Sequence, residues 1–176
     1  MRLPFPEFIT AVRIAAALIF FTAALGKMRS WRTFEGVVAN YRLLPGALSR
    51  VVAWLLPPVE VLLALALLVG APGSEFAASA LLALFAVAMG INLLRGRTHI
   101  DCGCFDSTLK QPLRWSLVLR NAVLVLLLLV AAQSRETARA WDWATVLLGV
   151  LGGSAFFIVV QCANILTALP VKRRAT

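Results

Sequence analysis

"FAASALLALFAVAMGINLLRGRTHIDCGCFDS", residues 76–107, changes character partway along. From Phe76 to Leu94 it holds no Asp, Glu, Lys or Arg. At a rise of about 1.5 Å per residue such a run is roughly 28 Å long as a helix, close to the ~30 Å thickness of a bilayer's hydrocarbon core. After Leu94 the chain turns polar and basic, then places two cysteines on either side of one glycine. This change of character is that of a membrane-spanning helix followed by an elaborate cysteine loop.

The rest of the chain repeats the first half of that pattern. Further apolar runs cover Phe8–Leu25, Val51–Val69, Trp115–Ala132 and Trp143–Leu169. Each is near or above the length of a spanning helix, and in lipid the backbone must satisfy its own hydrogen bonds. Composition agrees: 61% of the 176 residues are hydrophobic and only 14% are charged, against about 45–50% and about 25% in soluble domains. The expected fold is an all-α membrane bundle of five transmembrane helices in one domain, residues 1–176. The first run contains Arg13 and lacks a convincing cleavage site after it, so it is expected to be retained rather than removed as a signal peptide.

The formal net charge of +9 does not point to nucleic acid. The basic residues gather in the gaps between apolar runs, as the orienting residues of membrane loops do. Arg2, Arg135 and Arg139 fall on one side of the membrane. Lys27, Arg29, Arg32, Arg42, Arg50, Arg95, Arg97, Lys110, Arg114, Lys172, Arg173 and Arg174 fall on the other. The positive-inside rule then places the N-terminus outside, and the C-terminus and cysteine loop in the cytoplasm. A lasting disulfide is better suited to an oxidising compartment, so charge and cysteine chemistry pull in different directions.

Between the first two runs, "MRSWRTFEGVVANYRLLPG" (28–46) spaces Trp31, Phe34, Val37, Val38, Tyr41 and Leu44 by threes and fours. This is an amphipathic helix for the interface. Its plainer role is anchoring, and its sharper one is a lid over the cysteines.

Three charges fall inside apolar runs: Arg13, Glu60 and Arg120. From the cysteine face their depths come out at ~19 Å, ~14 Å and ~8 Å. Glu60 is therefore expected to pair with Arg13 or Arg120, either to fix helix packing or to build a proton or quinone-headgroup site. Pro57 and Pro58 should bend or open the second span. Asn92 and Asn121 are placed to hydrogen-bond across helices. The glycines of "GVLGG" (149–153) permit close packing in the fifth span.

Cys102 and Cys104 can be joined if the backbone turns at Gly103. The ring is small, and strained or exposed disulfides are the labile, catalytic ones. Arg95, Arg97 and His99 make the loop electropositive, which favours a thiolate. Asp101 and Asp106 oppose this or accept protons, and Phe105 and Trp115 give apolar cover. Cys162, in the fifth run on the same face, is either an inert packing residue or a third, resolving thiol. A second function class is a soft-metal site for copper, zinc or mercury, from His99, Cys102, Cys104 and Cys162. A third is a structural or assembly subunit in which the thiols only staple the loop.

Four blocks carry a family resemblance: "GKMRSWRTFEGVVANYRLLP", "LPPVEVLLALALLVG", "NLLRGRTHIDCGCFDS" and "LVLRNAVLVLLLLV". In order and spacing, over about residues 26–130, they resemble the methylamine-utilisation MauE family of the wider DoxX-like group. The resemblance rests on Lys27, Tyr41, Leu44, Pro45, Pro58, Glu60, Asn92, Gly96, the run from Asp101 to Phe105, Arg120 and Asn121. It implies a four-helix membrane core, here with a fifth helix, associated with thiol redox work. It also implies a bacterial inner-membrane location and a link to maturation of methylamine dehydrogenase, a disulfide-rich periplasmic enzyme. Family chains often read Cys-Gly-Cys-Phe-Gly, where this chain has Asp106. The fifth run, with Cys162, lies outside the matched blocks.

The expected function is that of a thiol-disulfide oxidoreductase of the membrane. Cys102 and Cys104 form the redox pair, exchanging electrons with a thioredoxin-like protein or a quinone. Glu60, Arg120, Asn92 and Asn121 lie beneath the loop, and Lys27, Tyr41, His99, Asp101 and Phe105 shape its surroundings.

Overall fold

The computed structural model describes residues 6–103, 112–133 and 143–168. Every apolar run becomes a helix: α1 (Pro6–Arg29), α3 (Gly46–Leu68), α4 (Ser74–Leu94), α5 (Trp115–Gln133) and α6 (Trp143–Ala168). All five are long and apolar enough to cross a membrane. The amphipathic segment forms the shorter α2 (Trp31–Asn40), which buries Phe34. Lys27 belongs to the last turn of α1. No strand occurs among the described residues.

Four helices share one core. Ala16, Ala17, Ile19 and Phe20 of α1 meet Ala64 and Leu67 of α3, Ala78 and Leu82 of α4, and Leu124 and Leu128 of α5. Small side chains on α1 let its neighbours approach closely, which is how helices associate where lipid removes the hydrophobic drive. The outward surface is apolar instead: Leu62 of α3 is 65% exposed and Leu126 of α5 63%. In water such a surface would be a liability, and in a bilayer it is solvated. This is a multi-pass membrane bundle.

Pro57 and Pro58 lie inside α3, which continues through both. The expected opening of the helix does not occur. Each proline removes one backbone N–H, and the rest of the ladder continues on both sides.

Arg13 does not reach Glu60. Its guanidinium Nε donates to Glu75 Oε1 at 2.6 Å. The reason is position along the bundle. Arg13 lies in the first half of α1, and the short α3–α4 connection brings Glu75, in the first turn of α4, to the same end.

α6 lies outside the four-helix core, packed along α1. The glycines explain the close approach. A Cβ added at Gly149 would stand 2.5 Å from Thr10 Cγ2, and one at Gly153 would stand 2.7 Å from the Ala11 carbonyl oxygen. At Gly152 the nearest atom, Ala11 Cβ, is at 3.5 Å, an ordinary contact. Gly153→Leu is therefore expected to push α6 off α1 and to destabilise the protein by about 1–3 kcal/mol, as overpacking does. Gly152→Ala should be tolerated. Thermal unfolding of both variants in detergent checks the contrast.

Candidate functional site

The cysteine loop is held at its base and roofed from above. Asp101 and Pro112 form an isolated antiparallel bridge. The Leu113 amide donates to the Ile100 carbonyl at 3.0 Å. Ile100, Cys102 and Leu113 pack with Met89 and Leu93 of α4 and Leu117 of α5 in a second apolar cluster. The Cys102 sulfur lies 3.6 Å from Met89 Sδ, and the residue is 7% exposed.

α2 supplies the roof, in keeping with the sharper reading of its amphipathic pattern. The Tyr41 hydroxyl, just past its end, donates to the Cys102 carbonyl at 3.1 Å. Gly103 adopts φ +67°, which suits glycine. A Cβ there would stand 2.9 Å from Val37 Cγ1 and 3.4 Å from the Phe34 ring. Burial pushes the Tyr41 phenol well above its ordinary value, and the nearby Asp101 charge raises it further. The hydroxyl therefore stays a donor across the physiological range.

Beneath the loop lies a buried ion pair. Lys27 Nζ donates to Glu60 Oε1. The lysine is 4% exposed and Glu60 is fully buried. The ammonium also lies over two aromatic faces, Phe85 at 5.3 Å and Phe34 at 5.5 Å. The sequence-based expectation that Glu60 pairs with Arg13 or Arg120 is thus replaced by Lys27. A lysine in the last turn of a spanning helix usually extends toward water. Here Phe34 and Phe85 flank its ammonium, and the carboxylate on α3 gives it a partner inside.

Arg120 instead links α5 to α6. Its Nη1 donates to Asn164 Oδ1 at 2.8 Å, and its Nε and Nη2 donate to Asn121 Oδ1 at 3.3 and 3.2 Å. Asn92 and Asn121 do not bridge helices as expected. Asn92 Nδ2 donates to the Ala88 carbonyl of its own helix at 3.1 Å, and Asn121 serves its neighbour in sequence. Among the described residues, Glu60 Oε2, Asn92 Oδ1 and Asn121 Nδ2 are buried without a hydrogen-bond partner. Asn164 is a polar contact that sequence reading missed. It sits two residues from Cys162, and its Nδ2 donates to Gln161 Oε1 at 3.2 Å; the two amides at i and i+3 in an apolar run were the available signal.

Two hollows flank the cysteine loop. One is an apolar cavity of about 370 Å³, bounded by Lys27, Phe34, Tyr41, Phe85, Met89 and Cys102 and continuing between α3 and α4 past Leu56 and Leu84. The other is a polar groove of about 580 Å³ lined by Arg32, Asn40, Arg42, Arg97, His99 and Asp101. Cys162 is free and exposed on α6. Among the described residues no cluster of three or more His, Cys, Asp or Glu side chains forms a metal site. The expectations for Cys104, Phe105 and Asp106 concern residues outside those described.

Fold and site together define a multi-pass membrane protein with its cysteine loop under an interfacial helix and above a buried Lys–Glu pair. The family described as methylamine utilisation protein MauE matches residues 6–134, a stretch that takes in α1 to α5 and ends before α6. Curated relatives extend the likeness to nearly the whole chain. The methylamine utilization protein MauE of Paracoccus denitrificans is 45% identical over 172 residues, 97% of this chain and 92% of its own length. That of Paracoccus versutus is 43% identical over 94% of this chain and 90% of its own length. That of Methylorubrum extorquens is 37% identical over 97% and 93%. No solved structure matches. The chain belongs to the MauE family.

Removing one member of the Lys27–Glu60 pair leaves the other charge buried alone, which costs about 3–5 kcal/mol. Lys27→Met and Glu60→Leu should each destabilise on that scale, and the double variant should cost less than the two added together. A double-mutant cycle by chemical unfolding measures the difference.

Tyr41 is the chain's single tyrosine, so tyrosinate absorbance reports this group alone. In the folded protein its titration is expected well above pH 10, and unfolding should bring it back to about 10. The phenol binds its proton more tightly when folded. Its contribution to stability is therefore complete below about pH 10 and is lost as pH rises toward the folded value. Tyr41→Phe should remove that part of the alkaline fall.

Proposed function

We propose that this chain is an accessory membrane protein of methylamine utilisation that performs thiol–disulfide exchange through Cys102 and Cys104. The observation that carries the reading is the construction around Cys102: its carbonyl is fixed by Tyr41, its sulfur is packed on Met89, and α2 roofs the loop. Two further facts support it. Cys102 is disulfide-bonded, while Cys162 is the free cysteine.

In this reading the buried Cys102 is the resolving sulfur, and Cys104 is the one that a partner attacks. A thiolate of a thioredoxin-like dithiol protein attacks Cys104 Sγ, the S–S bond breaks, and Cys102 departs as a thiolate. The partner's second thiolate then attacks the mixed disulfide, and Cys104 is released. The partner leaves oxidised and the pair is reduced, with sulfur and electrons conserved. The polar groove beside the loop, with Arg32, Arg42, Arg97 and His99 on its walls, gives a soluble protein a charged surface to dock on. The charge asymmetry supports an N-terminus outside the cell and a cysteine face in the cytoplasm.

The test is thiol labelling of protein in membranes, with and without prior reduction by dithiothreitol. Reduction should expose two additional labelled thiols, and a Cys102→Ser, Cys104→Ser variant should show neither them nor exchange with a thioredoxin-like partner. Full exchange activity in that double variant overturns the proposal. With a membrane-impermeant reagent, labelling only after the cells are opened is the result expected from the charge asymmetry. Labelling in intact cells reverses the orientation.

A further inference from the structure

The apolar cavity beside Cys102 is more than a packing defect. It is about 370 Å³, within the roughly 300–1,000 Å³ range of small-molecule sites. Val52 and Leu56 of α3 and Leu84, Phe85 and Ala88 of α4 line its length. Leu84 is 61% exposed on the lipid-facing surface, so the cavity edge meets the membrane rather than water. Its inner wall differs in chemistry. Lys27, whose ammonium lies over the Phe34 and Phe85 rings, lines it, and so does Cys102. Lys27 and Cys102 both border this cavity, and a void that served packing alone would need neither a lysine nor a cysteine beside it.

We infer that this cavity admits the headgroup of a lipid-soluble quinone from the bilayer, and that the quinone takes the electrons of the reduced Cys102–Cys104 pair. The inference rests on the thiol–disulfide reading above and names the membrane-side partner of the same site. The chemistry of the walls selects the ligand. An occupant arriving between α3 and α4 must be apolar enough to reside in lipid. To use Lys27 it must present a hydrogen-bond acceptor, and a quinone carbonyl is one. Flat rings fit between Phe34, Phe85 and the aliphatic walls, where offset aromatic contacts are favourable. To use Cys102 it must accept two electrons, which an acyl chain cannot do.

The reaction balances without another reagent. The two thiols lose two protons and two electrons, and the S–S bond forms between Cys102 and Cys104. The quinone gains both protons and both electrons and leaves as quinol. Lys27 is a positioning residue: it donates to the carbonyl oxygen on which negative charge grows, while Glu60 holds the ammonium in place. With the exchange step, the net result is oxidation of a protein dithiol by a membrane quinone.

The experiment uses full-length protein in lipid nanodiscs, reduced with dithiothreitol and desalted, with decylubiquinone as the probe. Quinol formation is followed optically and closure of the pair by thiol labelling. Wild-type protein should form one quinol per pair closed. Ala88→Phe, which fills the cavity, should slow closure by quinone at least tenfold. Leu56→Trp fills it from α3 and serves if the first variant does not fold. Lys27→Met should also slow closure by quinone and weaken the dependence of rate on quinone concentration. Equal rates in the wild-type and cavity-filled proteins overturn the assignment. So does a wild-type pair that dithiothreitol opens and quinone leaves open. A pair that dithiothreitol cannot open at all overturns the thiol–disulfide reading instead, so the two failures are distinguishable.

Discussion

A lysine and a glutamate shut away from water organise the working end of this protein. Lys27 closes α1 and Glu60 sits mid-way along α3, and their hydrogen bond joins the two helices inside the bundle. Each charge alone would be intolerable at that depth, and together they become a fixed polar point in an apolar setting. The consequences run in both directions along the membrane. Below the pair, alanines of α1 close the four-helix core. Above it, Phe34 of α2 and Phe85 of α4 flank the ammonium, and those rings also bound the cavity that ends at Cys102.

The cysteine loop inherits its order from that arrangement. α2 follows α1 after one turn residue, so fixing the end of α1 fixes where the amphipathic helix lies. Its apolar side then meets Gly103, a position with no space for a larger residue, and Tyr41 reaches the Cys102 carbonyl. One sulfur is thereby committed to the protein interior. Cys102 thus lies between the apolar cavity on one side and the polar groove that begins at Asp101 on the other.

Polar groups in the spans sort by where partners are available. Arg13 finds Glu75 because both lie near the same end of the bundle. Arg120 finds Asn164, and α6 is thereby tied to α5 as well as to α1. Depth along a helix was a sound guide to which residues lie near the cysteine face. It was a poor guide to pairing, because a lysine stem spans more than one helical turn and depth says nothing of which way a helix faces. The linear pattern places Lys27 near the cysteine loop but not inside the bundle, because its aromatic neighbours belong to two other helices, α2 and α4.

The linear pattern alone places the spans, the interfacial helix and the close-packing glycines of the last span, and its motif order carries the family resemblance that implies a four-helix core. These follow from local quantities: run length, hydropathy, helical spacing and motif order. Helix packing decides that Glu60 belongs to Lys27, that Asn92 and Asn121 serve their own helices, and that an apolar cavity lined by α3 and α4 reaches Cys102. Those outcomes depend on helix rotation and on the distance between elements far apart in the chain. In a bilayer such rotation is set by packing of small residues and by a few buried polar contacts, and a linear pattern does not encode which of several possible partners will meet.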